Sequence, residues 1–119
     1  MLNRKVNILS KYKQISAIIL LCIFGNTARA QEDVINAGFV LHKMAVAEQF
    51  AYVSGVVEGL AYARFLRDKP NEDGMKCIYD WYYADSDRQW ARIETVFGAH
   101  LEKPVGVLLH VLIKKKCGA

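Results

Sequence analysis

Apolar residues occur along this chain first as one concentrated run and then, from Phe39 onward, as stripes at helical spacing. The run extends from Ile15 to Gly25, follows Arg4, Lys5, Lys11 and Lys13 with no acid among them, and gives way to small residues ending Ala28-Arg29-Ala30. A basic start, an apolar middle and an A-x-A end are the parts of a cleavable export signal. Residues 1–30 are therefore expected to be a signal peptide, and residues 31–119 the working protein outside the cytoplasm. The run is too short for the roughly 20 residues that a membrane-spanning helix needs. Leu21 before Cys22 also argues against a lipid-modified cysteine, which follows a small residue, so no stable membrane anchor is expected in the mature form.

Beyond residue 30 the periodicity predicts helices. Asp33 or Asn36 can cap a first one, with Phe39, Val40, Met44, Ala47 and Ala51 at helical steps. A stronger stripe, Phe50, Val53, Val57, Leu60, Ala61 and Phe65, runs from about Ala45 to Arg67; spacing alone does not decide between one helix and two. The segment Arg67-Asp68-Lys69-Pro70-Asn71-Glu72-Asp73-Gly74 reads as a stop. Met75 to Ala84 is crowded with aromatics, neither clearly alternating nor clearly helical, and is expected to be an ordered loop pinned at Cys77. Asp85-Ser86-Asp87 can cap a helix of about Asp87 to Leu101, whose apolar face is Trp90, Ile93, Val96, Phe97 and Leu101. Pro104 suits the first turn of a last helix, with Val105, Leu108, Leu109, Leu112 and Ile113 inward, Lys114 to Lys116 at the negative end of its dipole and Gly118 as terminator. The short Glu102-Lys103 link brings the last two helices antiparallel and Cys117 back toward Cys77. The expected fold is a small all-α single-domain bundle of about four helices with one disulfide.

Removing the leader reverses the charge. Five of the 16 cations (Arg4, Lys5, Lys11, Lys13 and Arg29) precede residue 31 and all 12 acids follow it, so a formal +4 becomes −1. The basic character that would suggest nucleic acid belongs to the leader, and no nucleic-acid partner is expected. Of the three cysteines, Cys22 departs with the leader. The remaining pair, Cys77 and Cys117, in an oxidising compartment is expected to be bridged, which suits a domain too small to bury a large core.

Catalysis requires convergent groups, and the sequence offers few. His42, His100 and His110 each stand alone in their helices without metal-ligand spacing, and Ser54, Ser86 and Thr95 lie in no nucleophile motif. No metal, no cofactor and no enzymatic activity are expected. Gly55 and Gly59 are four apart on one helix face, each costing roughly 1 kcal/mol relative to alanine, and with Ala51 and Ser54 they form a shallow groove for close helix packing. The C-terminal helix of the same chain is the favoured occupant, and the same surface of a second copy, giving a homodimer, is the alternative. Glu58 between them reads as a solvent-facing acid of an amphipathic helix, with a buried acid of raised pKa as the alternative. Trp81, Tyr82, Tyr83, Asp85 and Asp87 combine large aromatic contact area with acids and are the first choice for a partner-binding surface. The same rings can instead close the end of the core.

On these residues the chain resembles the periplasmic immunity proteins of the Rap/Tai family, which neutralise cell-wall amidases delivered by type VI secretion. The resemblance rests on Phe50-Ala51-Tyr52-Val53-Ser54-Gly55-Val56-Val57-Glu58-Gly59-Leu60, on Cys77-Ile78, on Ala99-His100-Leu101-Glu102-Lys103-Pro104 and on a last helix closing at Cys117, and it covers about residues 45 to 118. It departs at Lys114-Lys115-Lys116, where the family often has an aromatic or apolar residue and a proline before the cysteine. The resemblance implies a non-catalytic protein that binds an amidase effector and blocks its substrate cleft, often as a dimer. The alternative is a periplasmic stress or folding factor resembling the small acid-stress chaperones.

Overall fold

Five helices carry the fold of residues 34–119, the part of the chain that the computed structural model describes: α1 (Ala37–Lys43), α2 (Val46–Asp68), α3 (Asp73–Tyr83), α4 (Ser86–Ala99) and α5 (Val105–Cys117). The expected signal peptide, its apolar run, Cys22 and the cap candidate Asp33 lie outside the described residues. Among the described residues the only β-type pairing is an isolated bridge between Asn36 and Pro104, and no helix is long and apolar enough to cross a membrane. The fold is a small all-α domain with one disulfide, with five helices where about four are expected.

Helix α1 stands apart from α2 because the first stripe is interrupted. Asn36 caps α1, its Oδ1 accepting from the Phe39 amide at 2.8 Å. The backbone turns extended at Met44, and α2 begins afresh with Glu48 reaching back to the Ala45 amide at 2.9 Å. Gln49, almost buried, holds the break together: its Nε2 donates to the carbonyls of Met44 at 3.1 Å and Leu41 at 3.4 Å. These carbonyls near the end of α1 would otherwise lack an intrahelical donor. The front of α1 is anchored separately, by Ala37 and Gly38 amides donating to the Lys103 and Leu101 carbonyls at 3.0 and 2.8 Å.

The segment expected to be a loop is helix α3, and this corrects the reading of Met75 to Ala84. Asn71 Oδ1 accepts from the Asp73 amide at 2.7 Å, and Lys76 pairs with Glu72 one turn away, so the helix has a defined start. Met75, Ile78 and Tyr82 face the core at helical steps, with Trp81 buried beside them. Aromatics on the flanks of the helix mask that stripe in the sequence.

The core joins all five helices. Val40 of α1, Val53, Val57 and Ala61 of α2, Ile93 and Phe97 of α4, and Val105 and Leu109 of α5 are fully buried, and Ile78 of α3 nearly so. Each large member contributes about 1.5–3 kcal/mol of transfer free energy. Phe50 and Leu101, expected on inward faces, remain substantially exposed. Cys77 in α3 and Cys117 at the end of α5 form the disulfide, with Cα atoms 5.9 Å apart. Gly118 ends α5 at a φ of +79°, the left-handed region that glycine enters without a Cβ clash, and its amide donates to the Lys114 carbonyl at 3.0 Å.

Candidate functional site

Helix α3 divides the expected partner-binding residues between the core and the surface. Trp81 and Tyr82 are 8% and 2% exposed and therefore cannot act as free contact residues, which corrects their assignment to a binding surface. Tyr82 is held from several sides. Its ring lies edge-on to Tyr83 at 4.8 Å between centroids and 6.3 Å from Phe50, which in turn packs 5.5 Å from Trp90. Its hydroxyl shares a 2.9 Å hydrogen bond with Ser54 Oγ of α2, and burial pushes its pKa upward, partly offset by that bond. Trp81 Nε1 and Gln89 Nε2 are buried without an acceptor among the described residues.

Tyr83, Asp85 and Asp87 are exposed. Asp85 is occupied locally: it caps α4 by accepting from the Arg88 amide at 3.2 Å and pairs with Arg88 Nε at 3.3 Å. Its carboxylate thus serves the start of α4 first. Asp87 follows in the first turn of α4, where a negative charge suits the helix dipole.

Glu58 is the centre that sequence reasoning under-used. Exposed on α2, it accepts from Tyr79 Oη at 2.9 Å and from Tyr83 Oη at 2.7 Å, one phenol on each carboxylate oxygen. Tyr79 and Tyr83 are four residues apart and therefore share a face of α3; their ring centroids are 6.3 Å apart. This pair was concealed by the loop reading, since i, i+4 spacing has meaning only on a helix. Donation to Glu58, assisted by partial burial and by the carboxylate charge, pushes Tyr83 up to about 12 and raises Tyr79 as well. An ionised carboxylate offers about four lone-pair sites, so two remain for an incoming cation.

Gly55 and Gly59 lie on the same exposed side of α2. Among the described residues no atom from outside the local helix backbone stands within 4 Å of a Cβ built on either, so the C-terminal helix does not pack against them and the favoured intrachain contact is absent. The open face continues through Ala51 and Tyr62, the latter 57% exposed. Together, Glu58 with its two tyrosines and the small-residue face beside it make a shallow surface of rings, backbone and one ordered carboxylate. Such a surface can bind by stacking and by charge-assisted hydrogen bonding.

Among the described residues no three His, Cys, Asp or Glu side chains gather as a metal site would require. Compared with models of known protein families, with curated proteins and with solved structures, the chain finds no match.

Proposed function

We propose that this is a periplasmic immunity-type protein that binds and inhibits a type VI secretion peptidoglycan amidase without performing chemistry itself. The observation that carries the reading is the Glu58–Tyr79–Tyr83 cluster: two tyrosines and a carboxylate held in fixed relation on an exposed face. Tyrosines already ordered by hydrogen bonds lose little entropy when a partner covers them, which is the property of a rigid contact residue. The disulfide between Cys77 and Cys117 is compatible with an oxidising compartment such as the periplasm. The resemblance to the Rap/Tai proteins names the class of partner, and the open Gly55–Gly59 face leaves room for a homodimer.

The reading places the contact on α2 and α3, with Asp87 at its margin. Titration calorimetry of a type VI amidase from the same organism tests it. Tyr83→Ala and Glu58→Lys are each expected to weaken binding by tenfold or more, about 1.4 kcal/mol or above, because the first removes the exposed ring and the second reverses the central charge. Unchanged affinity in both folded variants would remove this face from the contact.

A further inference from the structure

We propose that the cavity between α2, α3 and α5 binds a small amphiphilic anion, a single acyl chain ending in a carboxylate. The cavity measures about 230 Å³ and shares no residue with the Glu58 surface. That volume lies below the range of about 300–1,000 Å³ typical of drug-sized ligands and suits one short chain rather than a two-chain lipid. Its apolar part consists of Leu60, Ala63 and the nearly inaccessible Ile78 and Ile113. Arg64, Arg67 and Lys114 bring three cations to the remainder of the wall, beside His110 and the Gly118-Ala119 backbone.

Charge and order both favour an anionic head group. Among the described residues no acidic side chain lines the cavity; Asp68, just outside, accepts from Arg67 and Arg64, and these bonds hold its carboxyl below the usual carboxylate range. Arg64, Arg67 and Lys114 therefore outnumber the one neighbouring acid. Arg64 is the best placed. It is largely enclosed, donates Nε to Asp68 and Nη1 to the Gly118 carbonyl at 3.1 Å, and keeps three of its five N–H groups without an acceptor among the described residues. A guanidinium fixed in this way is suited to receive a carboxylate bidentately. Gly74 makes the arrangement feasible, because a Cβ at that position would overlap the Arg64 side chain.

The test is a titration of the oxidised protein with hexanoate, octanoate and decanoate, following the methyl resonances of Ile78 and Ile113. Saturable shifts are expected at both residues, with affinity rising about fourfold for each methylene that enters the cavity. Octylammonium should bind at least about tenfold more weakly than octanoate. Arg64→Gln and the surface variant Lys114→Glu should each weaken octanoate by about tenfold, and Gly74→Ala should do so with every charge retained. Vesicles of phosphatidylglycerol should produce no shifts at Ile78 and Ile113, separating a free acid from a membrane surface. Absence of saturable shifts with all three acids, equal affinity for octanoate and octylammonium, or unaltered octanoate binding in folded Lys114→Glu and Gly74→Ala would overturn the proposal.

Discussion

Glu58, Tyr79 and Tyr83 gain their character from one another. A protonated phenol donates to the carboxylate, whereas a phenolate would face it as a like charge, so folding holds both tyrosines in the protonated form. Tyr83 is pushed from an ordinary value of 10.0 to about 12, and Tyr79 moves in the same direction. Because the folded pKa exceeds the unfolded one, the contribution of these bonds is complete below about pH 10 and is lost as pH climbs toward about 12. Glu58→Gln is expected to bring the Tyr83 transition down toward its ordinary value, read as tyrosinate absorbance during an alkaline titration; an unmoved transition would show that Glu58 does not govern it. The solvent-facing reading of Glu58 was accessible from its place on an amphipathic helix, but its partners were not, since they come from another element. The division of Trp81 and Tyr82 from Tyr83 was equally hidden: ring content signals buried or contact area alike, and only the helical phase decides which.

Helices α2, α4 and α5 were legible because each has a long apolar stripe and a marked terminus, seen in Asp85 for α4, Pro104 and Gly118 for α5, and the Pro70-Asn71 turn after α2. Helix α3 was not, as eleven residues with aromatics on several faces blur the period that defines a helix. The separation of α1 from α2 depends on Gln49, a polar residue inside an apolar pattern whose worth comes from the two carbonyls it reaches. Gln49→Ala should destabilise the domain by about 1–3 kcal/mol and should release α1 first, since the Met44 and Leu41 carbonyls lose their donor. Hydrogen exchange measured amide by amide checks this: faster exchange concentrated in α1 is expected, while an even increase across all helices would contradict the tie. Gly55 and Gly59 show the limit of a motif, because close spacing of small residues makes an approach feasible without supplying the neighbour.

The domain is closed by a bond between its third and fifth helices spanning 40 residues of sequence. A loop of that length restricts the unfolded chain by about 4 kcal/mol, a large share of the roughly 5–15 kcal/mol that a small domain holds in total. Replacing both Cys77 and Cys117 by alanine should therefore lower the urea midpoint substantially with the helices still formed at low temperature; an unchanged midpoint would assign the stability to the core alone. The two cysteines beyond the expected leader made this bridge legible in advance, and the topology explains its position, since the end of α5 returns beside the second turn of α3. With the scaffold locked, α2 and α3 present the Glu58 face as a rigid surface, and the proposed activity is simply the covering of another protein's cleft. Hydrolysis of peptidoglycan by a purified type VI amidase, followed while the protein is added, tests that most directly. Inhibition that saturates at a fixed ratio and is relieved by Glu58→Lys is the expected result, and undiminished hydrolysis with the protein in excess would contradict it.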